Sequence, residues 1–531
     1  MADSRTAFPA SYRGEELMPC RSQFPTIALD ATTGEDLQTL AGFAEFWKIP
    51  YTTRSGLTPD QVFITSGKIP ESTGTRFPII LSPSGDTNAG KIADHYGVGV
   101  RTNNSLVHVP FSRKAETSIQ TRIYNFANSK VKTIIESDGT PILSRIESTN
   151  IYLLSIDLVS SFVLHVSSGL EDPPSFKFRM ATRLPFSYRM IPSFVRNRAF
   201  RKDDADDAGA ENVGPIECLR AIFLASLMSV ANVPIPLIGF WKRGKRFGAA
   251  VSHDVETGRG LNEGSKNMLS IEKDLGVRST WNIVTNRYPL TRESLSPLAK
   301  SGEIGAHDTD HDGRLIFLSL DSRTRRLRKC RETLEKMTEA KVRGFRAPLL
   351  QHDKKLLEAV GKAGYSCDSS VPSWELLSPT SLKSHGVGTV FPLQLEEVIE
   401  VPVSLPQDHQ LLRVRGLTPS EAGTRLAREA GWISEVGGLC TLLVHPDYEF
   451  ADQRNTEEYA RILKHFSEDP SCQVMTLAGA SDWWSHRQAA KLASSGNEVT
   501  ISTNAGEESD GLYVQIAKGF DKNGFSFDEV N

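Results

Sequence analysis

A chain of 531 residues is too long for a single hydrophobic core and implies about two to four domains. Its 39% hydrophobic and 24% charged residues are those of an ordinary globular protein, which excludes a disordered or fibrous chain. A formal net charge of -3 gives no long-range attraction to nucleic acid or to an anionic membrane, so neither is expected as a partner.

Residues 1–60 read as an irregular, polar segment with one short helix near 42–47. The opening Met1-Ala-Asp-Ser-Arg-Thr6 offers no apolar stretch of a secretory signal. The six cysteines are scattered without a CxxC pair, which suits free thiols in a reducing compartment, and the expected location is cytoplasmic. Cys367 and Cys440 lie in apolar runs and read as small buried hydrophobes.

Residues 61–200 read as a separate α/β domain. Apolar runs at 62–65 and 78–81 precede the turn Ser82-Pro-Ser-Gly-Asp86 and a helical pattern at 91–96, which is strand-turn-helix grammar. Further strand-like runs lie at 131–135, 141–146 and 151–156. The turn is not a dinucleotide fingerprint, because no GxGxxG occurs. Through Gly139-Thr-Pro-Ile-Leu143 and Tyr152-Leu-Leu-Ser-Ile156 this region resembles flavodoxin-like, glutamine-amidotransferase-like domains. No cysteine occurs between Cys20 and Cys218, so the nucleophile of such enzymes is missing and a binding or structural role is expected.

Residues 201–246 read as a linker and a buried helix. The charged stretch 201–210 is a surface loop by composition. The uncharged stretch 221–241 is long enough to span a membrane, but Asn232, Pro234 and Pro236 interrupt it. A buried helix ending before Pro234, followed by an extended segment, is expected instead. The basic clusters at 242–246 and 323–329 read as a solvated turn and an exposed helix face. Neither is interleaved with aromatics as nucleic-acid binding would require.

From residue 247 the pattern becomes regular. Seven short strand-like runs (247–252, 279–284, 303–306, 342–346, 365–368, 398–402 and 439–445) alternate with helical patterns at 262–275, 322–337, 354–363 and 420–430. Repeated β-then-α units imply a parallel sheet with right-handed crossovers, here a barrel or a strongly curved sheet over 247–490. A last helix at 456–466 precedes a small β element over 491–531, with strands at 497–502 and 511–516.

The chemistry-bearing residues fall at the ends of those runs. His253-Asp254-Val-Glu256, His307, Arg346-Ala-Pro348, Asp368 and His445 all follow the apolar part of a strand, and in α/β barrels the C-terminal rim is where catalysis is built. If the segment after Gly305 is helical, His307 and His311 share one face and both imidazoles reach one divalent ion, with a carboxylate as third ligand and a position open for water.

Asp254-Val-Glu256, His307-x-x-x-His311, Arg346-x-Pro348, Asp368-Ser-Ser-x-x-x-Trp374 and Leu442-x-x-His445, in that order, resemble the five motifs of the NodB-homology polysaccharide deacetylases, carbohydrate esterase family 4. The resemblance covers about 247–450. It implies a distorted (β/α)7 barrel, a divalent metal (commonly zinc), and hydrolysis of an N-acetyl or related amide on a sugar. Two positions depart from the family pattern. The usual adjacent aspartates are replaced by Asp254-Val-Glu256, a divergent Asp-x-Glu form, and Asp308 follows the first histidine where Ser or Thr is usual. Asp308 is thus an alternative ligand.

The resemblance assigns the metal to Glu256, His307 and His311. Asp254 is then the general base, held by Arg346, and His445, oriented by Asp368, is the general acid. Trp374, Tyr448 and Pro348 would meet the substrate, the two aromatics by stacking on a sugar ring. Plainer roles compete. Asp254 can cap a helix, Arg346 can form a surface ion pair, Asp368 can start a turn, His445 can end a strand and Trp374 can pack in the core. His253 reads as a packing residue, and His352 and Asp353 as solvated loop residues. The expected activity is a metal-dependent deacetylase acting on an amino sugar or glycan. The alternatives are an amidohydrolase of the same barrel acting on a small non-sugar C–N bond, and an inactive carbohydrate-binding or scaffolding protein. Oligomeric state is not legible.

Overall fold

The computed structural model describes residues 26–53, 61–70, 77–183, 214–495, 498–503 and 511–529, and the chain divides into two units. The first comprises residues 1–165, 213–243 and 487–531, the second 166–212 and 244–486. The charged stretch expected at 201–210 lies outside the described residues.

In the first unit, residues 26–53 are not irregular as expected. They hold strand β1 (Thr26–Ala31), helix α1 (Gly34–Trp47) and strand β2 (Tyr51–Thr52). Thr33 starts the helix by accepting a hydrogen bond from the Asp36 N–H, and Leu40, Phe43 and Trp47 give it a buried face. The α/β layer therefore begins well before residue 61. It continues through β3 (Gln61–Ser66), β4 (Ile79–Ser82), α2 (Gly85–Tyr96), the long hairpin β5 (Gly99–Ser112) and β6 (Ala115–Ala127), then β7 (Val131–Ser137), β8 (Thr140–Ile146) and β9 (Ile151–Leu154). The sheet order is β2-β1-β3-β4-β9-β8-β7. Its first five strands are parallel, and their order is second, first, third, fourth, fifth, which is the flavodoxin-like arrangement. The apolar runs on β4 and β9 are buried throughout, as expected of inner strands in a parallel layer.

Helices α3 (Leu158–Gly169) and α4 (Phe176–Arg183) follow, then α5 (Pro215–Ala231), which is apolar around most of its circumference and buried. It stops at Asn232, in the left-handed conformation, and the chain extends into β10 (Ile235–Ile238). Among the described residues no helix is long and apolar enough to cross a membrane.

The second unit carries the seven expected strands: β11 (Phe247–Val255), β12 (Thr280–Ile283), β13 (Glu303–Ala306), β14 (Gly344–Phe345), β15 (Cys367–Asp368), β17 (Val398–Glu400) and β18 (Leu439–Leu443). All seven are parallel. Two further strands extend the sheet: β16 (Leu393–Leu395), antiparallel to β17, and β19 (Cys472–Met475), parallel to β11. Between the strands run α6 (Ser265–Asp274), α7 (Arg292–Ser301), α8 (Leu320–Thr338), α9 (Lys354–Lys362), α10 (Pro419–Val436), α11 (Thr456–Ser467) and α12 (Leu477–Ala489). The barrel does not close. Among the described residues no ladder joins β17 to β18. That gap is bridged by individual bonds: Leu405 N–H donates to Thr441 O (3.3 Å), and Ser404 Oγ donates to Leu439 O (2.5 Å) and accepts from the Thr441 N–H (2.8 Å).

Arg323 and Arg326 on α8 are not on an exposed face as expected. Arg323 is buried against Asp353, which also caps α9, and Arg326 turns towards Asp308. The tail is also not a separate element. After β20 (Lys491–Ser495) and β21 (Glu498–Ser502), strand β22 (Val514–Asp521) pairs with β10 and strand β23 (Gly524–Glu529) with β22, in a three-stranded sheet of the first unit.

Candidate active site

Strand alternation sorts the end of β11. Ser252 and Asp254 point to one face and His253 to the other. His253 packs on Trp281 at a ring-centroid distance of 4.1 Å and pairs with Glu272 at 2.6 Å, in a buried network with Tyr459. Across the sheet, Arg346 is fully buried just beyond β14. It donates to Ser252 Oγ (2.8 Å), to Asp254 Oδ1 (3.2 Å), and through Nε and Nη2 to the carbonyl and hydroxyl of Ser369 (2.9 and 2.7 Å). Asn282 on β12 donates to the same Asp254 oxygen at 2.8 Å. Oδ1 is thus held twice, and Oδ2 lies 3.7 Å from His307 Nε2. Burial pushes the Asp254 carboxyl up, but the Arg346 and His445 charges and the Asn282 hydrogen bond oppose it, and the group lies below its ordinary range. Ser252, Asn282 and Ser369 were not identified from sequence; their only signal was position at a strand end.

The segment carrying His307 and His311 is a loop, not the expected helix. Asp308 and His311 both adopt the left-handed conformation, which folds the chain back so that the two rings lie 5.0 Å apart. The loop is pinned from outside. Arg326 donates to both carboxylate oxygens of Asp308 (2.7 and 2.5 Å) and to Asp312 at 2.9 Å. Both Asp308 oxygens are therefore engaged by Arg326, and Asp308 is not part of the ligand-like cluster.

That cluster is Glu256, His307 and His311, whose candidate ligand atoms all lie within 4.8 Å of one another. His311 Nε2 is 3.0 Å from Glu256 Oε1. Burial, aided by the charge on His311, lowers the His307 pKa against the pull of Asp254, so this imidazole is neutral. Its Nδ1–H donates to the Arg346 carbonyl at 2.9 Å, leaving the buried Nε2 lone pair without a hydrogen-bond partner. A neutral imidazole with its far nitrogen so fixed is the ligand form, and two nitrogens and one carboxylate fit a zinc-type ion. Asp447 holds Glu256 in place by accepting from its backbone N–H at 3.0 Å.

His445, beyond β18, completes the group. Its Nε2 lies 3.9 Å from Glu256 Oε1. The partner expected for it is corrected: its Nδ1–H donates to Asp408 Oδ1 at 2.6 Å, and its backbone N–H to Asp408 Oδ2 at 2.7 Å, while Asp368 is engaged elsewhere. Burial opposes protonation of His445, but the Asp408 carboxylate overrides it and lifts the pKa to about 10. Asp368 accepts from Ser370 Oγ at 2.8 Å and shares a buried carboxyl pair with Glu400, where burial and the Asp368 charge keep the proton on Glu400.

Tyr448 packs against His445 with ring centroids 4.8 Å apart. Pro348 opens a buried turn in which Leu349 and Leu350 are left-handed. Trp374 lines a cavity with Glu375, Leu405 and Gln410, and no residue of the cluster lines that cavity. His352 is not solvated as expected but fully buried, 2.8 Å from His385 Nε2.

Among known proteins, the polysaccharide deacetylase family model matches residues 250–367. No curated protein matches the chain. Solved structures similar to it include the PuuE allantoinase (12% identity, covering 46% of this chain and 92% of that one, TM-score 0.37). Two others are the peptidoglycan deacetylase PdaC from Bacillus subtilis (14% identity, 46% and 95%, TM-score 0.32) and the chitin deacetylase from Colletotrichum lindemuthianum (14% identity, 45% and 89%, TM-score 0.31). Asp254, Glu256, His307, His311 and Arg346 all fall within residues 250–367, the segment that matches the polysaccharide deacetylase family model.

Proposed function

We propose that the second unit is a hydrolase that removes an acetyl or similar acyl group from the nitrogen of an amino sugar or glycan, using a divalent metal held by Glu256, His307 and His311, with zinc the first candidate. The single observation that carries the reading is the placement of two further side chains beside one ligand-like cluster: Asp254, 3.7 Å from His307, and His445, 3.9 Å from Glu256 and paired with Asp408 at 2.6 Å. When bound, the metal supplies Lewis acidity and makes water a competent nucleophile near neutral pH. Glu256 takes the ligand place with the divergent Asp-x-Glu spacing.

Asp254 receives the proton of the attacking water at Oδ2, the oxygen not engaged by Arg346 and Asn282. Those two donors fix its rotamer and keep its charge. His445 delivers the proton on Nε2 to the departing nitrogen, and Asp408 keeps that proton in place until then. Tyr448 limits the swing of the His445 ring.

The test is metal analysis of the purified chain, followed by a screen of N-acetylated sugars against small amides and ureides, with and without chelator. Release of acetate that is lost on chelation and regained with zinc supports the reading. Turnover confined to amides or ureides transfers it to the small-amide alternative. A metal-free chain inert towards every class identifies a binding protein.

A further inference from the structure

Among its described residues the second unit exposes three large apolar side chains, and all three lie at one place: Phe176 (77% exposed) and Met180 (44%) on α4, and Phe317 (42%) in the short 3-10 turn Leu315–Phe317. Phe176 and Met180 are four positions apart and share one face of the helix. Phe178 lies on another face and stacks on Phe317 with ring centroids 6.2 Å apart, which ties α4 to that turn. Arg314 adds a second tie, its Nε donating to the Thr182 carbonyl at 3.2 Å. Exposed apolar side chains scattered singly are ordinary, whereas a cluster of this kind marks an interaction surface.

The charge around the cluster is mostly of one sign. Lys177 and Arg179 are exposed on α4, and among the described residues neither is paired with a carboxylate. Arg179 Nε donates to the Pro174 carbonyl at 3.2 Å, which leaves its charge unbalanced. The acids close by in sequence are committed elsewhere: Asp172 is buried and accepts from Ser378 Oγ at 2.6 Å, and Asp310 and Asp312 face Arg326 at 3.6 and 2.9 Å. Glu171 is exposed ahead of the helix and is outnumbered. The formal net charge of -3 averages over this region, because from Pro173 to Lys202 the sequence holds eight Lys and Arg, no Asp or Glu, and aromatics in between. Residues 184–202 lie outside the described residues, and no part of the surface is assigned to them.

We infer that the outward face of α4, together with Phe317, is a docking surface for an anionic phospholipid bilayer. Phe176, Met180 and Phe317 enter the acyl boundary while Lys177 and Arg179 meet the headgroup phosphates, the division of labour of a basic amphipathic helix lying in a membrane interface. With so short a helix the binding is reversible. The surface adjoins the candidate active site without being part of it: Arg314 follows His311 by three positions, and a methyl group on Gly313 would touch the Phe178 ring at 3.5 Å. The inference does not rest on the hydrolase reading.

The experiment is co-sedimentation of the full chain with vesicles of phosphatidylcholine, with and without phosphatidylserine. Partitioning to the anionic vesicles is expected to be stronger by about tenfold or more, and to weaken by about tenfold when salt is raised from about 0.1 to about 0.5 M. The double variant Lys177→Gln/Arg179→Gln should lower it by about tenfold. Phe176→Ser/Met180→Ser should lower it by about as much through the lost apolar contact. Phe317→Ser, on a different element, serves as the apolar variant if the α4 pair does not fold. The proposal falls if the chain ignores anionic vesicles, if both vesicle types bind alike, or if the charge and apolar variants all bind as the parent does, which would place the contact elsewhere in the chain. It also falls if these variants abolish binding to oligo-dT or self-association in sedimentation velocity while vesicle binding is unchanged, which would assign the face to nucleic acid or to a second copy.

Discussion

His445 donates through Nδ1 to Asp408 at 2.6 Å, although the two residues are 37 positions apart and Asp408 sits on no strand. This pair holds the proton that the proposed reaction needs. Asp408→Asn retains an acceptor but removes the charge, so the His445 pKa should fall from about 10 towards the ordinary histidine value. Histidine side-chain NMR across pH 5–10 reads this directly; an unmoved titration would show that another group sets the proton. Asp368→Asn should leave the same resonance where it was.

Asp254→Asn should cut turnover by about 10²- to 10⁴-fold while the chain still binds metal, because the proton acceptor is lost and the three candidate ligands remain. His311→Ala should lose both. Metal content per chain, measured beside acetate release, separates the two; a metal-free Asp254→Asn would make that aspartate a ligand.

Arg326→Ala leaves the Asp308 carboxylate buried without its guanidinium, a loss of about 3 kcal/mol by the usual cost of breaking a buried ion pair. The left-handed loop should loosen with it. Urea unfolding reads the stability, and zinc titration by competition reads the loop: weaker zinc binding is expected, and unchanged affinity would show that the histidines hold their places without Arg326.

Glu375 supplies a pH dependence whose sign can be worked out. Its folded pKa lies above the unfolded one, so its contribution is fully present below the ordinary glutamate range and is lost as pH rises through the folded value. Glu375→Gln keeps the Oε1 acceptor for Gln407 and Gln410 and cannot ionise. The variant should therefore gain melting temperature relative to the parent as pH goes from 5 to 9. A gap that is constant with pH, or that favours the parent at pH 9, would contradict this.

Much of the second unit was legible because short apolar runs in alternation with amphipathic helices carry their own period. Asp254, Glu256, His307, Arg346 and His445 stood out because each follows the end of such a run, and His311 because it lies four residues after His307. What failed depended on backbone conformation or distant pairing. A four-residue histidine spacing is the same on a helix and on a loop with two left-handed residues, so the path of 307–311 could not be read. Asp408 follows the apolar stretch 401–405 without a strand pattern of its own, and nothing local distinguishes it from Asp368. In the first unit, the β10–β22 pairing joins segments about 280 residues apart, beyond any periodicity.

The unlaced seam between β17 and β18 has one more implication. The stretch spanning it is joined to β18 by a few individual bonds and not by a ladder, and it also carries Asp408, the partner of His445. Breathing there would cost less than unzipping a stave of the sheet. It would leave Glu256, His307 and His311 assembled while freeing the imidazole of His445 to drift. In the proposed reaction such an opened form would lack its proton donor, so that throughput would track the fraction of time the seam stays shut.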